Sequence, residues 1–431
     1  MLRSLALTSL AFLLLLVTAC GEPEPDGPNT VTFRGSVASQ FAPTLFHADA
    51  WVVVDVHGGD LLETTTDANG EFSVEVPEGS TLTVTAGAEG SAPVTLVGID
   101  SARPGSLDLY LMPFDQTQLP GETWSVSVTV DNLPAGATHV FVYGGDQGGS
   151  AFAPISDPTQ PATVNFDTFV LDGLDEVGFT LGALNGTTAE FFDAVALVVR
   201  RADADKTYSL SMPGVAPTVL QITTNRPVID GSPFDTFNSR FTYVMGQVRV
   251  NDPPAFNTGA VLGFTTTATD TGTGYALDVP YVVTADHPAF AQVYLSRDPS
   301  VPANGISLVQ QAIEPGATSL TLEALDTPTV DTTVTWEPGA SLSWPAVAGA
   351  SSYLFAAISD GTLRWQISTL EPELAFPRFP EGFDLQRLNP GGGWRLQARQ
   401  QDISYFDHPV EFDPTIDTFK VSVTAGGLVS F

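Results

Sequence analysis

Thr64-Thr65-Thr66-Asp67-Ala68-Asn69-Gly70-Glu71-Phe72-Ser73-Val74-Glu75-Val76-Pro77-Glu78-Gly79-Ser80-Thr81-Leu82-Thr83-Val84-Thr85-Ala86 decides the fold class. A strand end, a turn rich in Asp and Asn, and a glycine precede a new strand. Gly70 can take the positive φ such a turn demands, which a side chain with a Cβ resists. Beyond it Phe72, Val74 and Val76 fall on one face, and Glu71, Ser73 and Glu75 on the other. After Pro77-Glu78-Gly79 the alternation resumes, with Leu82, Val84 and Ala86 against Thr81, Thr83 and Thr85. Strict period two marks half-buried strands, and two in succession with matching apolar faces predict a hairpin.

The same texture runs from Thr30 to the end: short stretches rich in Val, Thr and Phe, punctuated by Gly, Pro, Asp and Asn. It predicts an all-β chain of several antiparallel β-sandwich domains in series. At 431 residues the chain is too long for one ordinary domain. The predicted units are 30–112, 113–225, 226–328 and 329–431, and the two middle ones could be a single larger sandwich. The 226–239 stretch, polar and proline-bearing, supplies the break between them.

The first unit resembles the carboxypeptidase regulatory-like family, through Thr66, Asp67, Gly70 and Phe72 in a T-D-x-x-G-x-F pattern. That resemblance implies a transthyretin-type sandwich serving as a structural module without catalysis. In the last unit, Ser341-Leu342-Ser343-Trp344 followed by Tyr353-Leu354-Phe355, with Trp394 to Arg399 later, resembles a fibronectin type III domain. The stretch from Leu370 to Gly393 is longer and richer in proline than that family has.

Ahead of the sandwiches, Arg3, an apolar run from Leu5 to Val17, and Val17-Thr18-Ala19-Cys20 form a signal. The apolar run is shorter than the ~20 residues a membrane helix needs. Val17 to Cys20 resembles the lipobox of bacterial lipoproteins. This implies a signal peptide over 1–19, cleavage before Cys20, and a lipid on its sulfur. Alternatives on the residues alone are a plain secretory signal or a membrane anchor. Residues 20–29, rich in Pro, Gly and acid, read as a tether. The implied location is the bacterial cell envelope, on the exported side of the membrane.

A net charge of −33, from 49 acids against 16 Lys and Arg, excludes nucleic acid as a partner and argues against a basic patch on anionic lipid. Cys20 is the only thiol, so the sandwiches hold no disulfide and no Cys-ligated metal. No G-x-S-x-G, H-E-x-x-H, P-loop or Rossmann glycine run occurs. Asp55-Val56-His57 sets a carboxylate and an imidazole on one strand face, a pairing common on solvated sheets. Asp203-Ala204-Asp205 and Asp270-Thr271-Gly272 are the acid-bearing turns to compare with calcium loops, and neither has a spaced ligand series. No cofactor is expected.

The remaining candidate is a cluster at the C-terminal end. Trp365, Arg364 and Arg395 stand in a stretch with Arg378, Arg387, Arg399 and Trp394, holding five of the chain's 14 arginines. Tryptophan beside arginine is typical of interface hot spots. The competing reading places the tryptophans in the core and the arginines in water. The expected function is non-catalytic, a structural or spacing role at the envelope. The alternatives are a glycan- or protein-binding module, and a hydrolase whose site is assembled from distant strands.

Overall fold

A computed structural model describes residues 29–430, apart from 41, 115–120, 145–149, 173–174, 188–189, 215–216, 230–231, 234–241, 249–257, 266–267, 282–288, 297–305, 315, 331–333, 336–339, 360–361, 382, 384–391 and 402–417. The signal, Cys20 and the tether up to residue 28 lie outside the described residues, as does Arg387. Within them the chain is all-β, in several sandwiches in series. No helix among the described residues is long and apolar enough to cross a membrane.

Every sandwich closes the same way. The strand Thr30–Ser39 pairs in parallel with Leu107–Pro113, Gly121–Asp131 with Thr207–Ser211, and Thr218–Asn225 with Ser319–Leu322. In the last unit Val334–Thr335 pairs in parallel with Thr418–Ser430. First and last strands of each unit thus lie side by side, while their other partners are antiparallel. The strand Thr218–Asn225, counted with the second sandwich on sequence, hydrogen-bonds instead to Gly274–Tyr281 and Ser319–Leu322. Its Leu220 and Ile222 pack in one core with Leu277, Val279 and Val293. Alternation marks a strand without naming its neighbour.

In the first sandwich the alternation of Phe72 and Val76 and of Leu82, Val84 and Ala86 places all five in one core. They do not form the expected hairpin. Glu71–Pro77 pairs with Thr30–Ser39, whereas Thr81–Gly87 pairs with Trp51–Val56 and Val94–Asp100 in the opposing sheet. The Pro77 to Ser80 turn, with Gly79 at φ 73° and Ser80 donating to the Pro77 carbonyl at 2.7 Å, carries the chain across the core. The matching apolar faces meet face to face. Gly70 does take positive φ, 74°, and an added Cβ would lie 2.8 Å from the Val37 carbonyl oxygen.

The units also join edge to edge. Val94–Asp100 of the first sandwich pairs in parallel with Thr362–Thr369 of the fourth, matching Val94, Thr95 and Leu96 to Gln366, Ile367 and Ser368. On the far side of the fourth, Thr418–Ser430 pairs with Ile306–Ile313 of the third. One sheet of 13 strands therefore runs through three sandwiches. Each junction also removes exposed strand edges, whose unpaired amides and carbonyls would otherwise be open to another chain.

Candidate functional site

The junction of the first and fourth sandwiches gathers most of the residues singled out above. Its geometry follows from the shared sheet. One face of the first sandwich's sheet covers its own core, and the other carries Asp55, Thr83, Thr85, Thr95 and Val97. That second face continues into the inner face of the fourth sandwich, so Val97 belongs to the same buried cluster as Phe355, Trp365, Ile367 and Trp394. Thr83 and Thr85, which alternate as a solvent face would, are buried for this reason.

Trp365 is 1% exposed, and its indole Nε1 donates to Thr95 Oγ1 at 3.0 Å. Thr95 Oγ1 in turn meets Thr85 Oγ1 at 2.8 Å. This overturns Trp365 as an exposed interface residue. Trp394, Ala357 and Trp365 form one cross-strand row facing the core. Arg395, Ala356 and Gln366 form the next row, which faces the other way. Strand alternation thus separates Trp365 from Arg395, and they cannot act on one surface. Arg364 lies with its guanidinium carbon 5.1 Å from the Phe114 ring centre. Arg399 is buried, donating Nε and Nη2 to Gln397 Oε1 at 2.9 and 2.6 Å. Trp344 is buried against Tyr353.

Arg378 is the arginine of this stretch that ties the fourth sandwich to the first. It closes on Asp55, with Nε 3.2 Å from both carboxylate oxygens and Nη2 bonded to Oδ1. The same Nη2 reaches the Val56 and Gly59 carbonyls at 3.2 Å each, and the Arg378 amide reaches Asp55 Oδ2 at 3.3 Å. Asp55 is 6% exposed. The hydrogen bond to Asp55 holds the Arg378 guanidinium above its already high ordinary pKa. His57 turns elsewhere, its Nε2 2.8 Å from Thr83 Oγ1. Asp55 and His57 are therefore separately engaged, and the strand-face pairing read from sequence is not a dyad. The sequence signal that could have found Arg378 is Asp55 itself, an acid inside an apolar strand that needs a cation once buried.

The two acid-bearing turns are filled by the chain's own cations. At Asp203, the Lys206 ammonium donates to the carbonyls of Arg200 at 2.7 Å, Arg201 at 2.9 Å, and Asp203. It stands 4.7 Å from the Trp124 ring centre, and Lys206 takes φ 45° to reach there. Asp203 Oδ2 accepts from Tyr208 Oη at 2.6 Å, which holds the carboxyl below its usual range. Burial, then that bond, pushes the Tyr208 phenol up to about 12. Lysine occupies the carbonyl cradle that a metal ion would use. At the other turn Asp270 accepts from the Gly272 amide at 2.7 Å and from Arg226 Nη2 at 2.6 Å. Those two donors lower its carboxyl, the amide more. No group of three or more potential metal ligands occurs among the described residues.

A concave site lies on the first sandwich, away from the junction. It is a groove of about 1030 Å³ formed by the outer face of Thr30–Ser39 and Glu71–Pro77, the 64–67 segment, and the turn at 103–106. Arg34, Arg103, Asp67 and Glu71 line it together with threonine and serine hydroxyls. Asp67 Oδ1 accepts from the amides of Asn69 at 2.8 Å and Glu71 at 2.9 Å, fixing the rim. The sequence reading missed this groove, because its arginines stand 69 positions apart in the chain.

No protein-family model matches the chain, and no curated protein matches it. Among solved structures it is similar to a candidate carbohydrate binding protein from Bacteroides uniformis, at 12% identity over 40% of this chain and 100% of that one, with a TM-score of 0.18. It is also similar to BcpA, the major pilin subunit of Bacillus cereus, at 10% identity over 69% and 99%, TM-score 0.16. The fimbrial anchor protein Mfa2 from Porphyromonas gingivalis matches at 10% identity over 55% and 97%, TM-score 0.16.

Proposed function

We propose that this chain is a non-catalytic structural component of the bacterial cell envelope, held to the membrane by a lipid on Cys20 and built from sandwich modules. The observation that carries the structural part is the sheet running unbroken through the first, fourth and third sandwiches. Such a sheet couples modules through backbone hydrogen bonds, which suits a stiff body better than a string of independently swinging domains. The side chains that chemistry could have used, Asp55, His57, Asp203 and Asp270, are bound to neighbours instead. Anchoring rests on the lipobox resemblance, and the two module resemblances accord with a non-enzymatic role. A net charge of −33 argues against docking on anionic lipid through a basic patch, which leaves the acyl chains to supply the affinity.

Fractionation tests the anchor. Cys20→Ser should leave the membrane fraction or accumulate as an unprocessed precursor. Normal processing with unchanged membrane partition would overturn it. A second reading, a surface module that binds a glycan, is favoured by the groove on the first sandwich.

A further inference from the structure

The first sandwich contains 11 Asp and Glu between residues 30 and 113 and only two arginines or lysines, Arg34 and Arg103. Both line the same groove. Both of the module's Arg and Lys cations thus face one concavity, whereas its acids are spread over the whole module. Arg34 comes from the middle of a strand, where it stands opposite Ser73 with Glu71 and Glu75 diagonal to it. Its guanidinium makes no ion pair or hydrogen bond among the described residues. Glu75 is taken instead by the Thr32 hydroxyl at 2.6 Å. Arg103 is delivered by a turn in which the Asp100 carboxylate caps the Ala102 amide at 2.8 Å and the Asp100 carbonyl accepts from the Arg103 amide.

We infer that this groove binds an acidic oligosaccharide, with Arg34 and Arg103 taking uronate carboxylates and Glu71 with the rim hydroxyls taking sugar hydroxyls. Guanidinium forks match carboxylates in a bidentate manner, and two cations in one concavity raise the local concentration of an anionic ligand. Glu71 and Asp67 in the same lining disfavour a densely charged polyanion such as a polyphosphate. They suit a ligand that carries many hydroxyl donors between sparse negative charges. At about 1030 Å³ the groove lies at the upper end of small-molecule sites, about 300–1,000 Å³, and has room for several sugar residues. The inference stands apart from the anchoring and scaffold reading and survives its failure.

Calorimetric titration of the full chain in nonionic detergent with hexagalacturonate and, separately, with maltohexaose tests it. Hexagalacturonate should bind at least tenfold more tightly than the neutral oligomer, and more weakly as salt rises. Arg34→Gln should weaken it at least tenfold while leaving the melting temperature unchanged, because Arg34 is exposed on the outer face. Arg103→Gln should do the same, and if it disturbs its turn, Arg34→Gln alone decides. Absence of hexagalacturonate binding, equal affinity for maltohexaose, or full affinity in Arg34→Gln would overturn the proposal. So would Arg34-dependent binding to phosphatidylglycerol vesicles without any to hexagalacturonate, which would assign the groove to a lipid headgroup.

Discussion

Trp365 and Thr95, 270 positions apart in the chain, meet through a buried hydrogen bond of 3.0 Å from indole to hydroxyl, at the seam where the last sandwich joins the first. Each is fully enclosed, and each completes the other's polar requirement. Trp365→Ala should destabilise the protein by ~3–5 kcal/mol, the usual cost of truncating a buried aromatic. Hydrogen exchange should rise at Gln366, whose amide pairs across the seam with the Pro93 carbonyl. Trp365→Phe keeps most of the apolar area and loses the bond, at a smaller cost of about 1–2 kcal/mol. An unchanged melting curve for Trp365→Ala would refute the seam.

The second tie across the same seam is ionic. Arg378→Met leaves Asp55 nearly dry with only the Arg378 backbone amide as a partner at 3.3 Å. The carboxylate is buried but the Arg378 side chain is 41% exposed, so water can reach part of the vacated space, and the loss should be about 1–3 kcal/mol, more than the pair itself contributes. Asp55→Asn in the Arg378→Met background should therefore restore much of the loss. Denaturant unfolding of the two variants checks this. If the double variant is no more stable than Arg378→Met, Asp55 is not the penalised group.

At the Asp203 turn the ammonium of Lys206 binds three carbonyls over Trp124. Lys206→Met removes all three bonds and the cation over the ring, and should cost about 1–3 kcal/mol. Because lysine fills the cradle, calcium chloride or a chelator should leave the wild-type melting temperature where it is. A clear upward shift with calcium would show that a metal, not lysine, orders this turn.

His47 gives the first sandwich an acid-sensitive point. Burial lowers its pKa below the ordinary 6.5, since the charged ring is poorly solvated there. Between the two values the unfolded chain holds the proton and the folded one does not. Stability from this group is thus complete above about pH 6.5 and falls as pH drops below it. Many carboxylates titrate lower still, so the readout is a difference. Wild type minus His47→Gln should lose stability from pH 7 to pH 5; a flat difference would exclude the histidine.

How much of this was legible varies with range. The alternation of Phe72 and Val76 and of Leu82, Val84 and Ala86 gave strand and face correctly, because both are local properties of a pleated chain. Partnership was not local. The apolar faces at 72–76 and 82–86 meet across a core and not within a hairpin, and periodicity is the same in either case. Thr83 and Thr85 read as a wet face and are covered by a module almost 300 residues later, whose arrival leaves no mark at their own positions. Trp365 and Arg395 looked like neighbours in composition, yet strand alternation turns them to opposite faces. Asp55 carried a usable clue, an acid within an otherwise apolar strand, though nothing in the sequence named Arg378 as its partner.

Gly70 tests the turn chemistry that opened the reading. Its φ of 74° is costly for a β-branched residue, about 1–3 kcal/mol by itself. Added to that, a Cβ would sit 2.8 Å from the Val37 carbonyl oxygen, which accepts the His47 amide at 2.9 Å. The Gly70 carbonyl also accepts the Val37 amide at 2.9 Å, so the turn cannot swing away without breaking that bond. Gly70→Val should therefore cost more than the backbone strain alone, and Gly70→Ala nearly as much, because the clash begins at Cβ. Melting of the full chain, with hydrogen exchange followed at Val37 and His47, measures both. If Gly70→Ala is neutral and those two amides keep their protection, the close approach of the turn to the Val37 strand is wrong.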